Sequence, residues 1–126
     1  MRFLLPPLLL LALLTGGTLY HAHTVEHLTE AWIASLETAA SSALRDDWDS
    51  AAERLADCYA GWQSSRTYLR ITVSHAVIDE AEAMYRRAMA FAETQELSEF
   101  HAELAGLRAQ LRLLADAERF HAENIL

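Results

Sequence analysis

From residue 18 onwards the chain contains no proline, and its only glycines there are Gly61 and Gly106. Few constraints narrow a fold so far. Strands need turns every few residues, and turns draw on Gly, Pro, Asn and Asp for their special backbone angles. A stretch this long without such punctuation, rich in Ala, Leu, Glu and Arg, reads as helix joined to helix by short connections.

The apolar residues agree, recurring at spacings of three and four, which gives each helix one buried face. A first helix carries Val25, Leu28, Trp32, Leu36, Ala39 and Ala43, and can be continuous with the segment before it. Arg45-Asp46-Asp47 interrupts it, and Asp46 or Asp47 is placed to cap the next helix. That second helix shows Trp48, Ala52, Leu55, Tyr59, Trp62 and Leu69 on one stripe, with Cys58 beside it. The β-branched stretch Arg70–Ser74 predicts a turn with Thr72 or Ser74 as the next cap. A third helix follows through Val77, Ala81, Met84, Ala88 and Phe91. A turn at Glu93–Glu96 leads to a fourth through Leu97, Phe100, Leu104, Leu107, Leu111 and Leu114, with Asn124-Ile125-Leu126 as the tail. About four helices joined by short turns must pack antiparallel to bury their stripes, so the expected fold is all-α, an antiparallel bundle or stacked helical hairpins. The run from Asp47 to Leu55 looks like the start of a tetratricopeptide-type hairpin, but nothing repeats it about 34 residues on, so a repeat array is not expected.

Ahead of the helical region lies a second constraint. Phe3–Tyr20 contains no charged residue. A run of that length sits at the lower edge of what spans a bilayer, and it shares features with a secretory signal: Arg2, an apolar centre, then Thr15-Gly16-Gly17-Thr18. No Ala-x-Ala site follows, and Tyr20-His21 suits the interfacial belt of an uncleaved anchor. Both readings stay open, a single-pass cell-membrane protein or a protein secreted after cleavage. Residues 1–20 form the anchor or signal segment and 21–126 an extracytoplasmic helical domain. Arg2 precedes the apolar run and no Arg follows until Arg45, which predicts a cytoplasmic N-terminus.

Charge narrows the partners. The net charge is −8, from 18 Asp and Glu against 10 basic residues, all of them Arg. Nucleic acid is not an expected partner, because phosphate binding needs a basic stripe. The single cysteine, Cys58, allows no internal disulfide and reads as a small buried hydrophobe.

The order of several short motifs resembles a known family. Asp46-Asp47-Trp48 opens the second helix and Trp62 stands near its end; His75 with Ile78-Asp79-Glu80 opens the third. Ala105-Gly106-Leu107-Arg108 leads to the closing Glu123-Asn124-Ile125-Leu126. In these the chain is similar to domain-of-unknown-function family 4363 (DUF4363), which implies a small bacterial helical protein with a single anchor and supplies no activity.

Three groups of residues invite chemistry. His21, His23 and His27 follow the apolar segment, with Glu26 and Glu30 among them, and His23 and His27 stand one helical turn apart as a Zn²⁺ or Cu²⁺ pair would. A polar collar that happens to hold histidines is the plainer reading, since a structural site wants four ligands. His75 and Asp79 resemble a base with its orienting carboxylate, yet no nucleophile motif accompanies them, so catalysis is not expected. Trp62 falls on a core stripe; with His75 and Asp79 it completes the set of candidate interaction residues. No cofactor is expected: Cys-x-x-Cys-His and paired Glu-x-x-His motifs are missing. The leading expectation is therefore a non-enzymatic, membrane-anchored module that binds an envelope protein or itself, with metal binding as the alternative.

Overall fold

The computed structural model describes residues 3–70 and 75–125. They form four helices: α1 (Leu5–Leu44), α2 (Trp48–Arg70), α3 (His75–Glu93) and α4 (Leu97–Ile125). The turn expected before α3, with Thr72 or Ser74 as its cap, lies outside the described residues. Helix α4 runs on to Ile125, so its end includes most of the expected tail.

Each helix packs on its two neighbours around a ring: α1 on α2, α2 on α3, α3 on α4 and α4 back on α1. Short connections dictate this, because each helix must turn back along the one before it. The diagonal helices α2 and α4 meet through side chains, Trp48 standing edge-on to Phe100 at 5.4 Å between ring centres. Fully or nearly buried positions alternate by threes and fours along every helix. In α1 they are Val25, Thr29, Trp32, Leu36, Ala39 and Ala43; in α4, Phe100, Leu104, Leu107, Leu111 and Leu114. This is the seam of helices packed nearly parallel to one another.

In two expected stripes some positions shift by one residue, while Trp48, Leu55, Trp62 and Leu69 in α2 and Ala81 and Ala88 in α3 are buried as expected. In α2 it is Ala51 that is buried, while Ala52 faces solvent. In α3 the centre holds Ile78, Tyr85 and Ala92, and Val77, Met84 and Phe91 only flank it. The displacement has a physical reason in α3: the Tyr85 hydroxyl finds a partner inside the bundle, so a tyrosine takes the place a methionine would otherwise fill.

The turns at the far end of the bundle are built alike. After α1 the N–H of Asp46 bonds to Ala43 O at 3.0 Å and that of Asp47 to Ser42 O at 2.9 Å. After α3 the N–H of Gln95 bonds to Ala92 O at 3.2 Å and that of Glu96 to Phe91 O at 2.9 Å. These are Schellman endings, which satisfy the last carbonyls of a helix by placing one residue in the left-handed region. Asp46 (φ 60°) and Gln95 (φ 56°) occupy that position. Asp47 then caps α2 as expected, its Oδ1 accepting from the Ser50 N–H at 3.2 Å.

Helix α1 has 40 residues, about 60 Å at 1.5 Å each, and it passes through Gly16 and Gly17 without a break. Pro6 and Pro7 fall in its first turn, where a missing N–H costs nothing. Its N-terminal part is apolar and long enough to cross a membrane, and none of that apolar window is buried in the bundle. A signal sequence has the same character. The apolar segment and the first bundle helix are thus a single element, with no structural boundary at residue 20.

Candidate functional site

Where α1 enters the bundle, its histidines separate. His21 is turned inward, and its Nε2 lies 2.8 Å from Oε2 of Glu118 on α4, a carboxylate only 3% exposed. His23 and His27 face outward with their rings stacked, centroids 6.5 Å apart. Successive helical residues are rotated by about 100°, so positions 21 and 23 point to nearly opposite sides. Among the described residues no three His, Cys, Asp or Glu side chains converge as a metal would require. The metal-binding alternative therefore has no support: His21 is held by Glu118 on another helix, and His23 and His27 stand as a pair.

Beside this collar, α1 and α4 enclose a groove of about 420 Å³. Ile33, Ala34 and Ala115 give it an apolar floor, and Thr29 lines it with a buried hydroxyl that has no hydrogen-bond partner among the described residues. Glu26, Glu30, Glu37 and Asp116 rim it together with Arg112 and Arg119. Arg119 is engaged by Glu26 at 2.9 Å, and Glu37 receives Arg108 at 3.6 Å. The rim carries more carboxylates than guanidiniums, around an apolar base.

The three candidate interaction residues part company. His75 and Asp79 are both exposed on the first turns of α3. Trp62 is fully buried, edge-on to Trp32 at 5.7 Å and tilted against Tyr85 at 5.8 Å, so it serves the core and offers no surface to a partner. Gly61 lets this cluster close: a Cβ there would stand 3.2 Å from the Trp32 indole nitrogen. The spacing of His101, His121, Glu99 and Glu103 in the sequence predicts a solvated face of α4, but His101 is half-buried with its ring nitrogen 3.1 Å from Ala40 O. Glu103 pairs with Arg87 of α3. The side chain of His121 lies outside the described residues.

Two polar arrangements inside the bundle escape the sequence reading. Cys58 Sγ lies 3.3 Å from the Tyr85 hydroxyl and 3.6 Å from Trp32 O. With the thiol donating to that carbonyl, the tyrosine donates to sulfur, and three helices are joined in one chain of bonds. Burial pushes the Cys58 thiol up to about 11, only partly opposed by its bond with Tyr85, so it stays protonated and unreactive. Burial likewise raises Tyr85, and the neighbouring thiol adds to this. The second arrangement centres on Glu82, 8% exposed. Arg66 Nη1 lies 2.8 Å from its Oε2, while Arg86 (3.1 Å) and the Tyr59 hydroxyl (3.2 Å) reach Oε1. Burial alone would raise this carboxyl; the guanidiniums and the phenol outweigh it and hold the group below its usual range.

A signal for such carboxylates existed. Glu82 lies four residues after Ile78 and three before Tyr85, and Glu118 continues the series Leu107, Leu111, Leu114, so both occupy core register. Their partners, however, come from other helices and cannot be read from spacing. Neither arrangement includes a nucleophile poised for reaction; both tie helices together.

No curated protein and no solved structure matches the chain. A family model does, covering residues 19–125, which begins where the apolar segment ends and takes in the whole bundle. The chain belongs to DUF4363, a domain family of unknown function.

Proposed function

We propose that this protein is a non-enzymatic module tethered to the cell membrane, which holds a helical bundle in the envelope to bind another protein. One observation carries the reading: α1 is a single helix in two environments. From Leu5 to Leu14 its leucines are exposed, while from Val25 onward one face is buried in the bundle. Ten exposed helical residues rich in leucine are costly in water at about 25 cal/mol per Å² of apolar surface, and a bilayer removes that cost. Arg2 before the apolar run, with no further Arg until Arg45, supports a cytoplasmic N-terminus and an external bundle. An anchor also raises the local concentration of a weak binder around its partner.

The groove between α1 and α4 is the surface best suited to that partner. Its surplus of carboxylates around an apolar floor fits an Arg or Lys side chain with its aliphatic stem. His75 and Asp79 offer a second exposed polar pair at the start of α3.

The test has two parts. Cells expressing the protein are fractionated and the intact chain is weighed; a full-length mass in the membrane fraction is expected. A soluble chain lacking the segment before His21 would mean a secreted protein instead and would refute the tether. A photo-cross-linker is then placed at Ile33 in the groove or at Ala56 on the outer face of α2. Adducts from position 33 and none from 56 are expected, whereas equal yields from both, or none from either, would sink the assignment of the groove.

A further inference from the structure

The pairing of α4 with α1 fixes the height of α4's C-terminal end. His101 on α4 faces Ala40 on α1, and seventeen residues later Glu118 faces His21, nineteen residues back. The two helices are therefore antiparallel and advance almost residue for residue. Phe120, two residues beyond Glu118, stands level with the Leu19–Tyr20 turn. Helix α4 continues to Ile125, so its last turn lies beside residues 14–17, in the upper part of the apolar segment.

At this height two aromatic side chains and a leucine are exposed together. Phe120 is 64% exposed and Tyr20 is 72% exposed, with Leu19 at 47%. Higher on the outward face of α4, two helical turns away, stands Leu113, 54% exposed. Tyr20, with an apolar ring and a wet hydroxyl, is the kind of side chain that belongs in the interfacial layer of a membrane. A ring the size of phenylalanine left in water forgoes a stabilisation that the interface supplies.

We propose that the C-terminal end of α4 is a second membrane contact, with Phe120 seated in the interfacial layer of the same bilayer that holds α1. It rests on the tether reading and is continuous with it: an anchor ending near Tyr20 brings everything at that level to the headgroups. Two contacts on neighbouring helices fix the orientation of the bundle, which a single helix leaves free to tilt and rotate. The occupant is lipid of zwitterionic character. Among the described residues, the charged groups within a turn of Phe120 are Asp116, Glu123, the Glu118–His21 pair and Arg119 already engaged by Glu26, with no basic cluster that calls for anionic headgroups.

The experiment uses the full chain in phosphatidylcholine vesicles, with a spin label at Phe120→Cys or at Leu113→Cys. Cys58 is buried and does not compete for the label in the folded protein. Seven residues of helix place the two labels about 10 Å apart in height on similar faces. The expected result is that the label at 120 relaxes more strongly with oxygen, which partitions into lipid, than with a water-soluble nickel complex. The label at 113 should show the reverse. A water pattern at both sites in protein that floats with the vesicles overturns the second contact and leaves the tether standing. Mutual broadening of the labels would put a second copy on this face and also overturn it. Protein that does not float refutes the tether and the contact together.

Discussion

Cys58 and Tyr85 act as a unit. Each is buried, and among the described residues the sulfur is the one polar partner of the tyrosine hydroxyl. Replacing Cys58 with Ala leaves a cavity and an unpartnered phenol, a loss of roughly 2 kcal/mol. Tyr85→Phe made in that background should cost less than Tyr85→Phe in the natural chain, because the hydroxyl is then already without its partner. A double-mutant cycle by urea unfolding measures the coupling, expected at about 1 kcal/mol. Additive effects would mean that the contact contributes nothing. Glu82 makes a different prediction. Its folded carboxyl is held below its ordinary value, so the folded state binds that proton less readily than the unfolded chain. The resulting stability is present above about pH 4.5 and fades as pH falls through the folded value. Stability measured at pH 6 and again at pH 3 should fall less for Glu82→Gln than for the natural protein, although Gln starts lower. An equal fall would show that other carboxylates carry the acid sensitivity.

At the scale of elements, the two far turns use the same geometry but differ in what their left-handed residue does. Asp46 also accepts a hydrogen bond from the Trp48 indole at 3.1 Å, so its side chain offsets part of the backbone strain. Among the described residues the Gln95 side chain makes no such bond, and its φ of 56° favours glycine. Gln95→Gly should therefore stabilise the protein by about 1 kcal/mol, raising Tm by roughly 4 °C in a thermal melt. Asp46→Gly should gain less or lose. Helix α2 shows the opposite use of glycine. Gly61 sits in mid-helix, where it is worth about 1 kcal/mol less than alanine, and the close approach of Trp32 accounts for it.

For the whole molecule, the ring of four helices and the continuous α1 together give the bundle a direction. The far end carries the two Schellman turns; the near end carries the His21–Glu118 pair, the start of α3 and the end of α4. The mass and location of the mature chain decide whether that direction is set by a membrane, and label depths at 113 and 120 decide how closely the near end meets it. The helical class, the number of bundle helices, the Glu93–Glu96 turn and the Asp47 cap were legible in the sequence. So was the apolar character of the N-terminal segment.

These features are local. Helix formation, capping and hydropathy depend on residues within a turn or two of each other, and the spacing of threes and fours records which face is apolar. Tertiary structure decided what depends on neighbours from other helices. It chose Ala51 over Ala52 and Tyr85 over Met84 for the centre, because a one-residue rotation changes burial while leaving the stripe apolar. It also turned two carboxylates in core register, Glu82 and Glu118, into bonded groups, since Arg66 and His21 reach them only once the helices are assembled. The candidate site divides in the same way: the histidines and the tryptophan were visible as residues, but whether they converge or are buried follows from packing, which no spacing along one helix encodes.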